Sequence, residues 1–168
     1  MKICIISDSH DNVPNIDKML GYCKKENIRV LLHCGDLCAP SVVKYLAENF
    51  AGEIWWIAGN VHGELKKMSD ISEHFSNTHY LGEEGSPQIP GVDFKIYLTH
   101  YPEVAEEVAK TGKYDYIFYG HDHRPWEKTA CKTRLVNPGT LAGMFNKATF
   151  AVYNTENNGL ELKLLERI

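Results

Sequence analysis

Short β-rich runs alternate with helical patterns through the first two-thirds of the chain, and this alternation restricts the fold more than any other feature. Runs at 2–7, 29–34 and 53–58 are dense in Ile, Leu, Val and Trp, and patterns of helical period separate them at about 14–26, 40–50 and, more weakly, 64–75. Val13-Pro14 and Ala39-Pro40-Ser41 mark helix starts, because the first turn leaves its N–H groups unpaired and so tolerates proline. The order is that of βαβ units. After a polar stretch around Gly82 to Gly91, a strand at 92–99 leads to a helix near 103–112 and a strand at 115–119. The tail turns all-β, at 127–130, 134–137, 149–154 and 160–165, with 156–159 as a hairpin turn. An α/β sandwich, with helices on the outer faces of its sheets, fits this order. The 168 residues contain no repeat, low-complexity tract or linker, so a single domain over 1–168 is expected.

Ligand sites in α/β folds gather beyond the C-terminal ends of strands. Here each of five strands is followed by metal-competent residues. They are Asp8 and His10, then Gly35-Asp36, Gly59-Asn60, His100, and Gly120-His121-Asp122-His123. Residues two apart in an extended segment project to the same side, so Asp8 with His10, and His121 with His123, can each aim a pair of side chains at one cavity. Asp122 then points away and reads as a turn residue. Glycines 35, 59 and 120 let the chain turn after a strand without a Cβ clash. The set mixes imidazole nitrogen with carboxylate and amide oxygen and contains no thiolate, which suits Mn, Fe, Co, Ni or Zn at a catalytic site rather than a Cys-rich structural zinc. Seven ligands exceed the needs of one such ion, and an Asp can bridge two cations through its two oxygens.

Bulk properties narrow the partners. A net charge of −4 offers no footprint for stable binding to a nucleic-acid backbone or an anionic membrane, so a small substrate is favoured. The apolar start meets Asp8 too early for a signal segment, and no stretch approaches the roughly 18 apolar residues of a membrane span. A cytoplasmic location is expected. Cys4, Cys23, Cys34, Cys38 and Cys131, odd in number and without CxxC pairing, read as reduced thiols. His33, inside a strand, reads as a core or supporting residue, His74 and His79 as surface or packing residues, and Ser7, Ser9 and Asn12 as turn residues. Trp55-Trp56 places one ring on each face of its strand, one for the core and the other half-exposed.

Through Asp8-x-His10, Gly35-Asp36, Gly59-Asn60, His100 and Gly120-His121-x-His123, residues 3 to about 143 resemble the calcineurin-like metallophosphoesterase superfamily. With Asn137-Pro138-Gly139-Thr140, the chain looks most like its small, cap-less bacterial and archaeal phosphodiesterases. The resemblance implies a four-layer αββα sandwich of two mixed β-sheets flanked by helices. It also implies two divalent ions, Mn first, with Fe, Ni, Co or Zn as alternatives. Asp8, His10, Asp36 and His123 would surround one ion, and Asp36, Asn60, His100 and His121 the other, with Asp36 bridging. A water or hydroxide shared by the ions would attack phosphorus in a small phosphate ester, a diester before a monoester. Asp36 and Asn60 would thus be catalytic as well as ligating. One departure stands out: where many members have His directly after the motif Asn, this chain has Val61, and His62 follows. Val cannot donate a proton, so either His62 serves as the leaving-group acid or the leaving group departs unassisted. The same resemblance covers a small retromer subunit that acts by binding proteins, which makes a non-catalytic scaffold the alternative. A di-metal hydrolase of a non-phosphate bond is the third reading. Small members of such families often pair, so a homo-oligomer is left open.

Overall fold

A computed structural model describes residues 1–168. Its elements are β1 (Lys2–Ile6), α1 (Val13–Lys25), β2 (Val30–His33), α2 (Pro40–Asn49), β3 (Glu53–Trp56), α3 (Leu65–His74), β4 (Thr78–Tyr80), β5 (Ile96–Leu98), α4 (Pro102–Lys110), β6 (Tyr116–Phe118), β7 (Trp126–Ala130), β8 (Thr133–Asn137), β9 (Thr149–Asn154) and β10 (Gly159–Leu164). The first sheet has the order β10-β9-β1-β2-β3-β4, and the second β5-β6-β8-β7. Strands β1 to β4 are parallel, and antiparallel β9 and β10 extend their sheet at one side. In the second sheet only β7 is antiparallel. Both sheets are therefore mixed, as expected.

Side-chain alternation builds the layers. On one face of the first sheet Cys4, Ile6, Leu31, Ile54 and Trp56 meet α1 and α2, whose apolar positions Ile16, Met19, Leu20, Cys23, Val42, Val43 and Leu46 recur at helical spacing. On the other face Ile3, Ile5, Leu32 and Trp55 meet Ile96, Leu98, Phe118 and Val136 of the second sheet. The far face of that sheet packs Ile117 and Leu135 under Ala105 and Ala109 of α4. The result is the four-layer αββα sandwich. It also corrects one expectation: both Trp55 and Trp56 are buried, at 4% and 1% exposure, because the sheet is covered on both sides.

Most boundaries fall within one or two residues of the sequence reading, and two differences are larger. The strand expected at 92–99 narrows to Ile96–Leu98, because Val92 N–H turns back to the Ile89 carbonyl and Lys95 N–H is taken by Asp115 Oδ2 at 2.7 Å. The short strand β4 carries no periodic signal of its own, and pairs with β3 once α3 has returned the chain to the sheet. The five cysteines are free thiols. No helix is long and apolar enough to cross a membrane.

Candidate metal centre

The C-terminal ends of β1, β2 and β3 in one sheet, and of β5 and β6 in the other, open at the same end of the sandwich. All seven expected ligands meet there. Asp8, Asp36 and His100 form the buried floor, His10 and His123 are half-buried, and Asn60 and His121 lie exposed at the mouth. Ligand-capable atoms of Asp8, His10, Asp36 and His123 all lie within 4.8 Å of one another. Asp8 Oδ1 is 3.1 Å from His123 Nε2, and His10 Nε2 is 3.4 Å from His123 Nε2. Asn60 Oδ1 stands 2.9 Å from both His100 Nε2 and His121 Nδ1. Asp36 lies between the two groups, with Oδ2 3.6 Å from His10 Nε2 and Oδ1 3.5 Å from His100 Nε2.

The backbone reaches this arrangement by a route that the pleat argument did not contain. Asp8, His10, Asp36, His121 and His123 all have positive φ, between 39° and 76°. Extended geometry does not aim the two D/H-x-H pairs; left-handed backbone at both members of each pair does. Such backbone is costly for residues with a Cβ and concentrates where function over-determines it. Two glycines make room. A Cβ on Gly59 would stand 2.0 Å from Asp36 Oδ1, and one on Gly120 would stand 1.9 Å from Ser7 Oγ, so both sites depend on close approach of the chain.

The donors fit a cation. Asp8 Oδ1 is buried without a hydrogen-bond partner, since its approach to His123 lacks hydrogen-bond geometry. A bare carboxylate oxygen in that position is costly unless a positive charge faces it. Burial pushes the Asp8 carboxyl upward, and nearby Asp36 adds to the rise. His100 Nδ1 sits 2.8 Å from the Cys34 carbonyl and His123 Nδ1 3.4 Å from the Met144 carbonyl. Donation there fixes the tautomers that leave each Nε2 lone pair facing the cavity.

Supporting residues surround the ligands. Asp11 Oδ1 accepts from Cys38 and Ala39 N–H, tethering the loop behind Asp36. Thr140 Oγ1 donates to the Asp8 carbonyl, and Asn137 Nδ2 donates to the Gly120 carbonyl and to Asp122 Oδ1. The Asn137-Pro138-Gly139-Thr140 segment thus braces two ligand loops, a role that composition alone read only as a turn. Asp122 faces Asn137 rather than the cavity, as its position between two ligand histidines suggested. His62 is exposed, with Nδ1 3.2 Å from the Gly63 carbonyl, and makes no hydrogen bond to the seven ligands. Asp11, Met144 and Phe145 were not singled out by the sequence, because they belong to no strand-end motif.

His33 is fully buried beneath the centre, 2.8 Å from Ser9 Oγ through Nε2, and burial lowers its pKa to about 3. Above pH about 6.5 the imidazole is neutral both folded and unfolded, and its contribution to stability is fully present. As pH falls below that value the unfolded chain takes up a proton and the folded one does not, so stability is lost toward pH 3. In chelator-treated protein this loss is expected to reach about 3 kcal/mol between pH 6.5 and 4. His33→Gln should remove that part of the slope in denaturant unfolding, while Asp8, whose raised pKa acts in the opposite sense, contributes equally to both proteins. Identical slopes would contradict the assignment.

The calcineurin-like phosphoesterase superfamily domain matches residues 1–158. This chain belongs to that superfamily. It is 31% identical over 167 residues to a phosphodiesterase of Methanocaldococcus jannaschii, covering 99% of this chain and 100% of that protein. The structure of an archaeal phosphodiesterase superposes with a TM-score of 0.88 at 30% identity, covering 98% and 99% of the two chains. Vps29 of Chaetomium thermophilum shares the fold at a TM-score of 0.68 and 17% identity, covering 98% and 95%. The convergent Asp/His cluster is thus the metal-binding cluster of a superfamily member, set at the strand ends where the fold places it.

Proposed function

We propose that this chain is a metal-dependent phosphodiesterase, formed as one domain, with Asp8, His10, Asp36 and His123 holding one divalent ion and Asp36, Asn60, His100 and His121 a second. The observation that carries the proposal is the position of Asp36, with one carboxylate oxygen toward His10 and the other toward His100. Two ions, when bound, supply a nucleophile from water near neutral pH and offset charge on the phosphoryl oxygens. The chain's own contribution is positional. The Cys34 and Met144 carbonyls hold His100 and His123 in the required tautomers, and Val61 N–H donates to Asp36 Oδ1 at 2.8 Å, fixing the carboxylate between the two sets. Asn60, exposed at the mouth, presents its amide oxygen where substrate enters. Val61 has no proton to give. His62 next to it keeps Nε2 free while Nδ1 faces Gly63, and we place proton delivery to the leaving group there.

A donor set of nitrogen and oxygen without thiolate suits Mn, Fe, Co, Ni or Zn, and the resemblance to the superfamily puts Mn first among them. Free thiols throughout suit a reducing compartment such as the cytoplasm. The 31% identity to the M. jannaschii phosphodiesterase supports a diester substrate. Manganese-loaded protein should hydrolyse bis(4-nitrophenyl) phosphate with a kcat/KM at least about tenfold above that for 4-nitrophenyl phosphate, a difference of about 1.4 kcal/mol in the barrier. Turnover of 4-nitrophenyl acetate should be negligible beside either. Preference for the acetate would establish a non-phosphate hydrolase, and inactivity on all three under every metal would return the chain to a binding role.

A further inference from the structure

We infer that Phe145 and Tyr101 form an aromatic rim over the metal centre that binds a planar ring on an ester arm of the phosphodiester, so that the substrate class is a diester with an aryl or nucleobase-bearing group. This rests on the phosphodiesterase reading and adds the chemistry of the ester arms. Seven large hydrophobic side chains are exposed on this protein, and Val61, Tyr101, Met144 and Phe145, four of them, border the seven ligands. Phe145 is 90% exposed, so its ring gains almost nothing from burial in its own chain. Its φ of 62° is unfavourable for a bulky residue. The loop is nevertheless fixed: Leu141 and Ala142 N–H bond to the Ser7 and Asp8 carbonyls, and Met144 accepts from His123. An apolar ring held in strained backbone beside a ligand, covering nothing of its own protein, is placed to cover something else.

The rings make two series, one on each side of the cavity. Phe145 lies 5.7 Å from His123, and His123 lies 5.3 Å from His10. Across the cavity His121 and His100 are 5.2 Å apart, and Tyr101 meets them edge-on at 5.1 and 5.3 Å. The two aromatic residues thus stand at opposite ends of the imidazole cluster. No Lys or Arg side chain enters the hydrogen bonds or ion pairs of the seven ligands. The rim thus offers apolar surface and no added cation, which suits the uncharged arms of a diester.

The test uses three diesters that share the 4-nitrophenolate leaving group and differ in the other arm: phenyl, thymidine 5′-linked, and methyl. Wild-type kcat/KM should favour the ring-bearing arms over methyl. In F145A that ratio should fall about five- to tenfold, the scale of losing one stacked ring, while F145W restores it. W126A, which removes an exposed ring away from the ligands, should leave it unchanged. If phenyl and thymidine respond unequally, the larger fall names the arm. Binding is read separately from turnover, by NMR titration of the zinc-loaded protein, whose metal is diamagnetic, with diphenyl and dimethyl phosphate. Only diphenyl phosphate should shift the Phe145 ring resonances. A ratio in F145A within twofold of wild type, or equal response to the two phosphates, overturns the rim. Selective diphenyl phosphate binding without turnover of any diester would instead overturn the proposed activity and leave the rim standing.

Discussion

Asp36→Asn is expected to lower kcat/KM for bis(4-nitrophenyl) phosphate by about three orders of magnitude, or about 4 kcal/mol of transition-state stabilisation. Each carboxylate oxygen faces a different imidazole set, at 3.6 and 3.5 Å, and Oδ1 also takes the Val61 N–H. An amide is uncharged and presents one acceptor and one donor in the same space, so both sides of the centre lose the negative charge and one also loses its acceptor, whichever way the side chain turns. Asp122→Asn is the informative contrast. Asp122 lies between two ligand histidines in the chain but faces Asn137, and its loss should cost less than about tenfold, the low end for residues supporting a metal site. Steady-state rates and metal content of both variants, measured together, check the pair. Comparable losses would mean that Asp36 is merely one charge among several.

Removing the ions should lower the melting temperature as well as the activity. At an ion concentration about a thousandfold above Kd, one site contributes about 4.1 kcal/mol to folding. For a chain of this size that corresponds to a shift of about 8–16 °C between loaded and chelator-treated protein, at about 2–4 °C per kcal/mol. The physical source lies in the carboxylates of the centre. Asp8 Oδ1 is buried without a partner, and burial together with Asp36 already raises the Asp8 carboxyl. Restoring Mn should return both the melting temperature and the rate. A melting temperature indifferent to chelator and metal would mean that the cluster does not hold an ion tightly.

The four-layer architecture and the residues that meet at the candidate centre were legible because both follow from local signals. Period-2 and period-3.6 patterning names the strands and helices. Asp8, Asp36, Asn60, His100 and His121 each lie two to four residues beyond the end of a strand. The reason the ligands converge was less legible. Asp8 and His10 were expected to share a side because extended residues alternate, yet both sit in left-handed backbone, a choice set by how the loops pack rather than by any one residue's preference. The burial of Trp55 and Trp56 together depended on a second sheet whose placement no local pattern specifies. Phe145 lay outside sequence reasoning for the same reason. Its meaning comes from the His123 ring beside it, 22 positions away in the chain.

The most direct measurement is metal stoichiometry and diester hydrolysis on the same samples as metal-free protein is titrated with Mn. The two-ion account predicts binding that saturates at two ions per chain, with hydrolysis of bis(4-nitrophenyl) phosphate reaching its maximum only as the second ion fills. Full activity at one ion per chain, or activity that survives complete removal of metal, would contradict it.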